Sequence, residues 1–542
     1  YEERNLPAVA QQITPRHYED TYATDLARLS IAYPGVSLLD RDLYAMDVLA
    51  MILGQGESSR LYQDIYQKQK LVYQISSYNF TPVDRGLFEI SCLLEEKNIE
   101  TVKAEILKQV ALIKEKGVDK EELERAKRQT LSGYVFANQT PASVASSRSL
   151  DEAFTGDYKF SENYVKAVEN VSAEDIILAA NRYLVDQAEN VIILKPQNKE
   201  AAPSLETASS TSNKVVEDIQ KVILDNGLTV LLREDHDFPL VSLRLNLRGG
   251  LREENDEING VTELMADAWI KGTKSKTAKE ISALTEGLGM SLNSFAGKNS
   301  FGLTLDFLSQ DIDTALNLLE DVVKNPVFPS DEIAQIKEDM SASLRERDFD
   351  ISRNSGFQLR QLLFEKHPFR LYEGGSKESI LRLSQKTCEQ QYQKFLTPNN
   401  MVLSVFGDIN AQEVLKQIKV KFKTIKKKEM KLARNYEPDI NSPREKSIFM
   451  DKQQAMVLVG FHAPSMFDQD RYGVEVLTTL IGSSFSGRLF TKIREDLGRA
   501  YTLGGFYVPG IELGYSYFYV LTTDENVIKS KEIILQEIKK LQ

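Results

Sequence analysis

Histidine is the scarcest chemical resource of this chain: four residues in 542, His17, His236, His367 and His462, with no two near enough in sequence to share a helix face. A protein zinc site draws on His and Cys ligands arranged at short spacing, and local sequence offers no such set. The two cysteines, Cys92 and Cys388, are far apart and define neither a disulfide framework nor a metal cluster. No run of 18 apolar residues occurs, so no membrane span is expected. A basic stripe is missing too. With 79 acidic against 67 basic residues and a net charge of -12, the composition argues against nucleic acid as a partner. The 42% hydrophobic and 27% charged content is that of ordinary globular protein, with length enough for several cores.

What the chain has in abundance is itself. Shifting it by 428 positions lays Asp42 on Asp470, Tyr44 on Tyr472, Val48 and Leu49 on Val476 and Leu477, Gly54 on Gly482 and Ser58 on Ser486. The register continues without a gap through Arg60/Arg488, Leu61/Leu489, Tyr73/Tyr501, Asn98/Asn526 and Leu107/Leu535. A fainter repeat lies at about half that offset. Ser172 precedes Ile176, Ala179, Ala180 and Tyr183 as Ser384 precedes Cys388, Tyr392 and Phe395: an N-cap, then helical spacing, then an apolar strand. Cys388 thus reads as core.

These repeats predict an α+β fold of recurring α/β sandwich units of about 210 residues, each a mixed, mostly antiparallel sheet covered by helices. The first spans 1–198. An Ala/Ser/Thr/Pro-rich linker fills 199–214. The second, 215–435, opens with Asn226-Gly227 between alternating apolar residues, a hairpin signal. The third, 436–542, is shorter than its counterpart by roughly 80 residues, and the second is expected to have a counterpart of roughly 200 residues ahead of Tyr1.

Within the second unit a strand-like run ends at Gly249-Gly250 and leads to "NGVTELMADAWIKGT". The spacing predicts a helix with Val261, Leu264, Met265 and Ala268 as its apolar stripe. A second helix follows, capped by Thr277 with Glu280. This order of hairpin, glycine, "KGT" helix and capped helix resembles the N-terminal domain of the pitrilysin/insulinase family of zinc metallopeptidases. In active members the helix carries H-x-x-E-H, because positions i, i+3 and i+4 bring two ligands and a base to one water. Counted back from Gly272-Thr273, the histidine positions fall on Glu263 and Asp267 and the glutamate position on Ala266. The family's distal glutamate ligand falls near Ile336. Glu263 and Asp267 stand at i and i+4 and could touch a hard cation, but a solvated or salt-bridged acidic helix face is the commoner outcome.

In the third unit "GRLFTKIREDLGRAYTLGGFYVPG" resembles the family's substrate-binding segment: Arg494 on a helix, a turn at Gly498, and Tyr501 opening a strand. Such a guanidinium donates to peptide carbonyls or a terminal carboxylate, and such a phenol to an oxyanion. In the 428-residue register Tyr501 falls on Tyr73, whereas Arg494 falls on Tyr66. In two-module members of the family one half holds zinc and the facing half supplies the arginine and tyrosine. The resemblance therefore implies a clamshell zinc metalloendopeptidase acting on peptides or unfolded polypeptide. It also implies zinc held by an upstream module or subunit, no metal on this chain, and Arg494 and Tyr501 as substrate-binding residues. The alternative is a non-catalytic scaffold or regulatory subunit of the same fold. Bacterial two-module relatives are often exported, which favours the periplasm over the cytoplasm.

Overall fold

A computed structural model describes residues 12–22, 25–196, 219–482, 487–495 and 500–541. The linker tract at 199–214 and the Gly498 turn lie outside the described residues.

Three sheets order the chain. The first joins β1 (Arg16–Tyr22), β2 (Ala27–Pro34), β3 (Val72–Phe80), β4 (Leu87–Leu94) and β5 (Asn190–Pro196) in the order β1-β5-β2-β4-β3. The second joins β6 (Gln220–Ile223), β7 (Thr229–Glu234), β8 (Leu240–Arg248), β9 (Ser291–Ala296), β10 (Ser300–Leu308) and β11 (Met401–Gly407) in the order β6-β7-β11-β8-β10-β9. Setting β6 aside, the two orders coincide, and in each a single parallel pair, β1 with β5 and β7 with β11, stands among antiparallel ones. The third sheet, β12 (Ala455–Ala463), β14 (Gly514–Thr522) and β13 (Ala500–Val508), repeats the β2-β4-β3 portion. This is a mixed α+β architecture of mostly antiparallel sheets covered by helices.

The sheets are half-covered, and their sequences alternate accordingly. β2 buries every second residue, with Leu29 and Ile31 in one core cluster with Met46, Leu49 and Leu53 of the Leu43–Gly54 helix. In the second unit the Asn226-Gly227 turn closes β6 onto β7, with Gly227 at φ +93°. Ser172, Thr277 and Ser384 each form the capping box their positions suggest, satisfying backbone N–H groups that the first helical turn leaves without partners. Cys388 is fully buried. Trp269 anchors that core: its indole N–H donates to the Val322 carbonyl at 2.9 Å, and its ring meets Tyr392 edge-on at 5.1 Å.

The 428-residue register holds at the level of backbone detail. Tyr62–Lys68 winds as a π-helix and so does Phe490–Glu495. The β3/β4 ladder slips between Val72 and Gln74, and the β13/β14 ladder slips between Ala500 and Thr502. Tyr73 and Tyr501 are the residues at the two slips. A Cβ on Gly54 would lie 2.5 Å from the Ser77 nitrogen, and one on Gly482 2.5 Å from the Gly505 nitrogen, so in both copies only glycine lets the helix close on its strand. π-turns and bulges carry local energetic costs and re-aim side chains, so their recurrence at matched positions marks a shared device.

The units are joined in two ways. The second and third share an apolar cluster of Leu359, Leu363, Phe364, Phe369 and Tyr515, with Gly460 of β12 seated on Leu359. Beside it Arg252, only 2% exposed, bonds Glu512 and Glu253 and donates to the Ala433 carbonyl at 2.8 Å. Glu437 accepts the backbone N–H groups of Glu365, Lys366 and His367 at 2.7–2.9 Å. The first and second units instead meet through polar side chains, described below. Replacing Arg252 by methionine strands two carboxylates in this joint. We expect a loss on the order of 3 kcal/mol, read as a lower urea midpoint for the 219–541 part of the molecule, whereas Arg233→Met at the surface changes it little.

Candidate functional site

The site is the helix Val261–Trp269. It has no side-chain cap of its own; Gly260, at φ +89°, starts it, and the buried Glu254 carboxylate accepts the N–H groups of Gly260 (2.8 Å) and Thr262 (2.9 Å). A carboxylate at a helix N-terminus compensates the unpaired donors and their partial positive charge, even though burial raises the Glu254 pKa. Gly260 abuts the backbone of Gly375, and a side chain there would reach it at 2.9 Å. One face, with Val261, Leu264, Met265, Ala268 and Trp269, enters the core of the second unit. Ala266 is buried as well.

Glu263 and Asp267 lie on the other face, which is half-buried. Burial first, then the Asp267, Glu373 and Glu254 carboxylates, pushes Glu263 up to about 7. Burial likewise pushes Asp267 up to about 6, with Lys271 opposing the shift and Asp339 and Glu57 adding to it. Neither shift has a hydrogen-bond contribution and burial leads both, so the expectation of a solvated face is corrected to a half-buried one, with Glu57 of the first unit among the charges near Asp267. A polar pattern in sequence shows that a helix face is outside its own core, not that water reaches it.

The distal position is also corrected. Ile336 is 8% exposed and belongs to the same core as Trp269. The residue of the Ser330–Phe349 helix that adds to the charge around Asp267 is Asp339, nearly one turn later.

Across the junction stand the first unit's π-helix and the turn before it. The Tyr66 hydroxyl donates to Asp339 at 2.5 Å, the Gln67 amide to Glu332 at 2.5 Å, and Lys271 pairs with Glu57 at 2.5 Å. Ser58 donates to Glu286 from both its backbone nitrogen and its hydroxyl. The Tyr73 hydroxyl donates to Glu95 at 2.7 Å and receives Arg345 at 3.3 Å, and Arg345 also pairs with Glu95 and Asp25. So Tyr66 and Tyr73, the register partners of Arg494 and Tyr501, both meet the Ser330–Phe349 helix, through Asp339 and Arg345. Sequence reading placed those partners without seeing that they meet Asp339 and Arg345; the register held the signal.

Arg494 is exposed on its π-helical turn, its guanidinium carbon 5.1 Å from the Phe490 ring. The Tyr501 backbone sits at the β13 slip, and its side chain lies outside the described residues.

The donor set does not fit zinc. Carboxylates and an alanine stand where two imidazoles and a base are needed, and among the described residues no group of three His, Cys, Asp or Glu is placed to hold a metal. What the arrangement can do is hold protons. A raised carboxyl pKa stabilises the fold fully below the ordinary value, and that contribution is lost as pH rises through the folded one. For Glu263 the window runs from about 4.5 to about 7. Glu263→Gln is therefore expected to raise stability at pH 8 by on the order of 2 kcal/mol and to leave it unchanged at pH 4, in paired urea titrations.

The sequence pattern of the family described as "Peptidase M16 inactive domain" matches residues 3–130 and 382–542, and that of "Insulinase (Peptidase family M16)" matches 229–354. A relative named "Uncharacterized zinc protease" from Rickettsia felis is 26% identical over 325 residues, 58% of this chain and 75% of its own. "Non-peptidase homolog YmxG" from Helicobacter pylori is 27% identical over 318 residues, 57% of this chain and 73% of its own. Among solved structures, a protease from Helicobacter pylori superposes with a TM-score of 0.57 at 18% identity, covering 60% of this chain and 80% of that one. The periplasmic protease PqqL from Escherichia coli gives 0.50 at 12% identity, covering 99% and 66%. The matched residues span more than half of the chain, and the chain belongs to the insulinase family of peptidases, family M16.

Proposed function

We propose that this chain is the substrate-gripping and chamber-closing part of a zinc metalloendopeptidase, acting with a module that holds the metal, whether on the same polypeptide or another. In this reading residues 1–198 and 436–542 are C-terminal-type domains, and 215–435 is an N-terminal-type domain that has lost its zinc ligands. The observation that supports it is the meeting of Tyr66 and Tyr73 with Asp339 and Arg345 of the Ser330–Phe349 helix, the helix on which the family's distal ligand position falls. The third unit repeats the π-turn and the strand slip that present these two residues, now with Arg494 and Tyr501. By the same geometry that pair faces the corresponding helix of another unit, one that keeps its ligands.

The work of Arg494 is to bind. Its guanidinium offers fixed donors to the carbonyls or carboxylate of an extended peptide, and Tyr501 offers a phenol to the developing oxyanion. Zinc in the complete enzyme supplies the activated water. No step of that chemistry passes through Glu263 or Asp267. The periplasm is the compartment this reading favours: no helix among the described residues is long and apolar enough to cross a membrane, and PqqL, which shares the fold, is described as periplasmic.

A second reading, a non-catalytic partner of the same fold, is favoured by the acidic replacement of the zinc positions and by the relative named as a non-peptidase homologue. Metal analysis with a quenched-fluorescent peptide assay separates the two. Residues 1–542 alone are expected to bind no stoichiometric zinc and to turn over no peptide. Together with a module carrying H-x-x-E-H they turn over peptide, and Arg494→Ala lowers kcat/KM by about a hundredfold, the cost of an oxyanion- or substrate-orienting donor. Stoichiometric zinc and turnover in the isolated chain refute the division of labour, and an unchanged kcat/KM in the arginine variant refutes the role of Arg494.

A further inference from the structure

The expectation that this chain has no basic stripe fails at one place. Between Lys416 and Arg434 stand eight lysines and one arginine against a single acid, Glu429, in a chain whose net charge is -12. The stretch begins in the helix Ala411–Phe422 and continues as an extended run toward the third unit. Both parts lie on the outside of one core. The helix seats Val414, Ile418 and Phe422 in it, and Ile425, Met430 and Leu432 press the run against it. The cations take the opposite side. Lys416, Lys419 and Lys423 share the outer face of the helix with Val420, itself 59% exposed. Lys426, Lys427, Lys431 and Arg434 are exposed along the run.

This ridge is held in place. The Asn226 amide donates to the Phe422 carbonyl, the Lys428 N–H to the Thr397 hydroxyl and the Ala433 N–H to Glu253, each at 2.9 Å. Lys421 is paired with Glu320, and Lys428 reaches the Gln393 carbonyl at 3.4 Å. The remaining cations make no side-chain hydrogen bond or ion pair among the described residues. Of the acids close by in the fold, Glu413 lies in the first turn of the same helix, and Asp313 of the neighbouring helix accepts the Gln417 amide at 2.7 Å.

We propose that the ridge is an electrostatic docking surface for a bilayer of anionic phospholipid. It goes beyond the division of labour proposed above and rests on neither zinc nor Arg494. The composition of the ridge selects the partner. Lysine is a hydrated point charge on a flexible stem and suits a fluid sheet of headgroups, whereas fixed, bidentate recognition calls on arginine. Protein interfaces are depleted in lysine and anchored by aromatic residues and arginine, and single-stranded nucleic acid is held by rings that stack on its bases. Between Lys416 and Arg434 the one aromatic residue is Phe422, and it is fully buried. Val420 within the ridge and Tyr436 just past it, 70% exposed, suit the headgroup boundary.

Co-sedimentation of the 542-residue chain with sucrose-loaded vesicles tests this. Vesicles of two parts phosphatidylcholine to one of phosphatidylglycerol should take up the chain at about 0.1 M salt and release it at about 1 M, where charges are screened within ~3 Å. Pure phosphatidylcholine vesicles should leave it in solution. Each basic residue near an anionic surface contributes about fivefold, so Lys423→Gln, Lys426→Gln and Lys427→Gln together should lower the partition coefficient by about a hundredfold. Removing three exposed lysines from the first unit instead, by Lys116→Gln, Lys120→Gln and Lys159→Gln, should change it by no more than about twofold. Inorganic phosphate should release the chain no better than chloride at equal ionic strength. No uptake by the anionic vesicles, equal uptake by the neutral ones, or equal partition of the ridge variant and the unsubstituted chain overturns the proposal. So does preferential release by phosphate, which points to a discrete anion site. Retention on immobilised polyglutamate or an oligonucleotide at salt that strips the chain from vesicles overturns the choice of partner. None of these readouts involves peptide turnover, so the two proposals fail separately.

Discussion

A short helix with two faces to bury is the constraint from which the rest follows. The Val261–Trp269 helix gives one face to the core around Trp269, and the other carries two half-buried acids, with Glu57 of the first unit near Asp267. In a metal-bearing member of the family the corresponding face would be occupied by ligands and cation, so charge would be balanced locally. Here acids stand at both histidine positions, so the face carries carboxylates instead. The protein meets the imbalance by surrounding the cluster with neutral donors, by placing Lys271 one turn away, and by letting carboxyl pKa values rise. Each of these lowers the cost of burial without abolishing it.

The two joints of the molecule differ in kind for the same reason. Between the second and third units, Phe364, Phe369, Leu363 and Tyr515 form an apolar cluster, and the charged residues beside it are matched: Arg252 with Glu253 and Glu512, Glu437 with three backbone donors. Apolar burial there does not depend on protonation. Between the first and second units the contacts are polar and charged: Tyr66 and Gln67 donate to Asp339 and Glu332, and Lys271–Glu57, Arg345–Glu95 and Arg128–Asp311 pairs cross the joint.

Much of this was legible in sequence because a repeat makes each copy a measurement of the other. The caps at Ser172, Thr277 and Ser384, the hairpin at Asn226-Gly227 and the core position of Cys388 follow from local rules that tertiary packing did not override. The register of 428 went further, pairing Tyr66 with Arg494 and Tyr73 with Tyr501 at the same π-turn and the same strand slip. Two things were not legible. Counting along the chain to the distal ligand position gave Ile336 when Asp339 approaches the site, because the count crosses loops whose lengths vary and a three-residue error on a helix exchanges a core position for an outer one. The environment of Glu263 and Asp267 was hidden for a different reason. Whether a polar helix face meets water or another unit is a fact of tertiary contact, and the periodicity of one segment does not contain it.

The departure between the two copies of the gripping segment follows from what each copy faces. Tyr66 in the first unit meets Asp339, to which a phenol can donate while adding no charge; an arginine at that place would add one more ion pair to a joint already crossed by Arg345–Glu95 and Arg128–Asp311. The third unit keeps Arg494 exposed. A guanidinium remains charged across the whole accessible pH range, whereas a phenol donates a hydrogen bond without adding charge. The same backbone device, a π-turn and a slipped strand, thus recurs at both ends of the chain with a different donor on each, a phenol where it meets a carboxylate and a guanidinium where it is exposed.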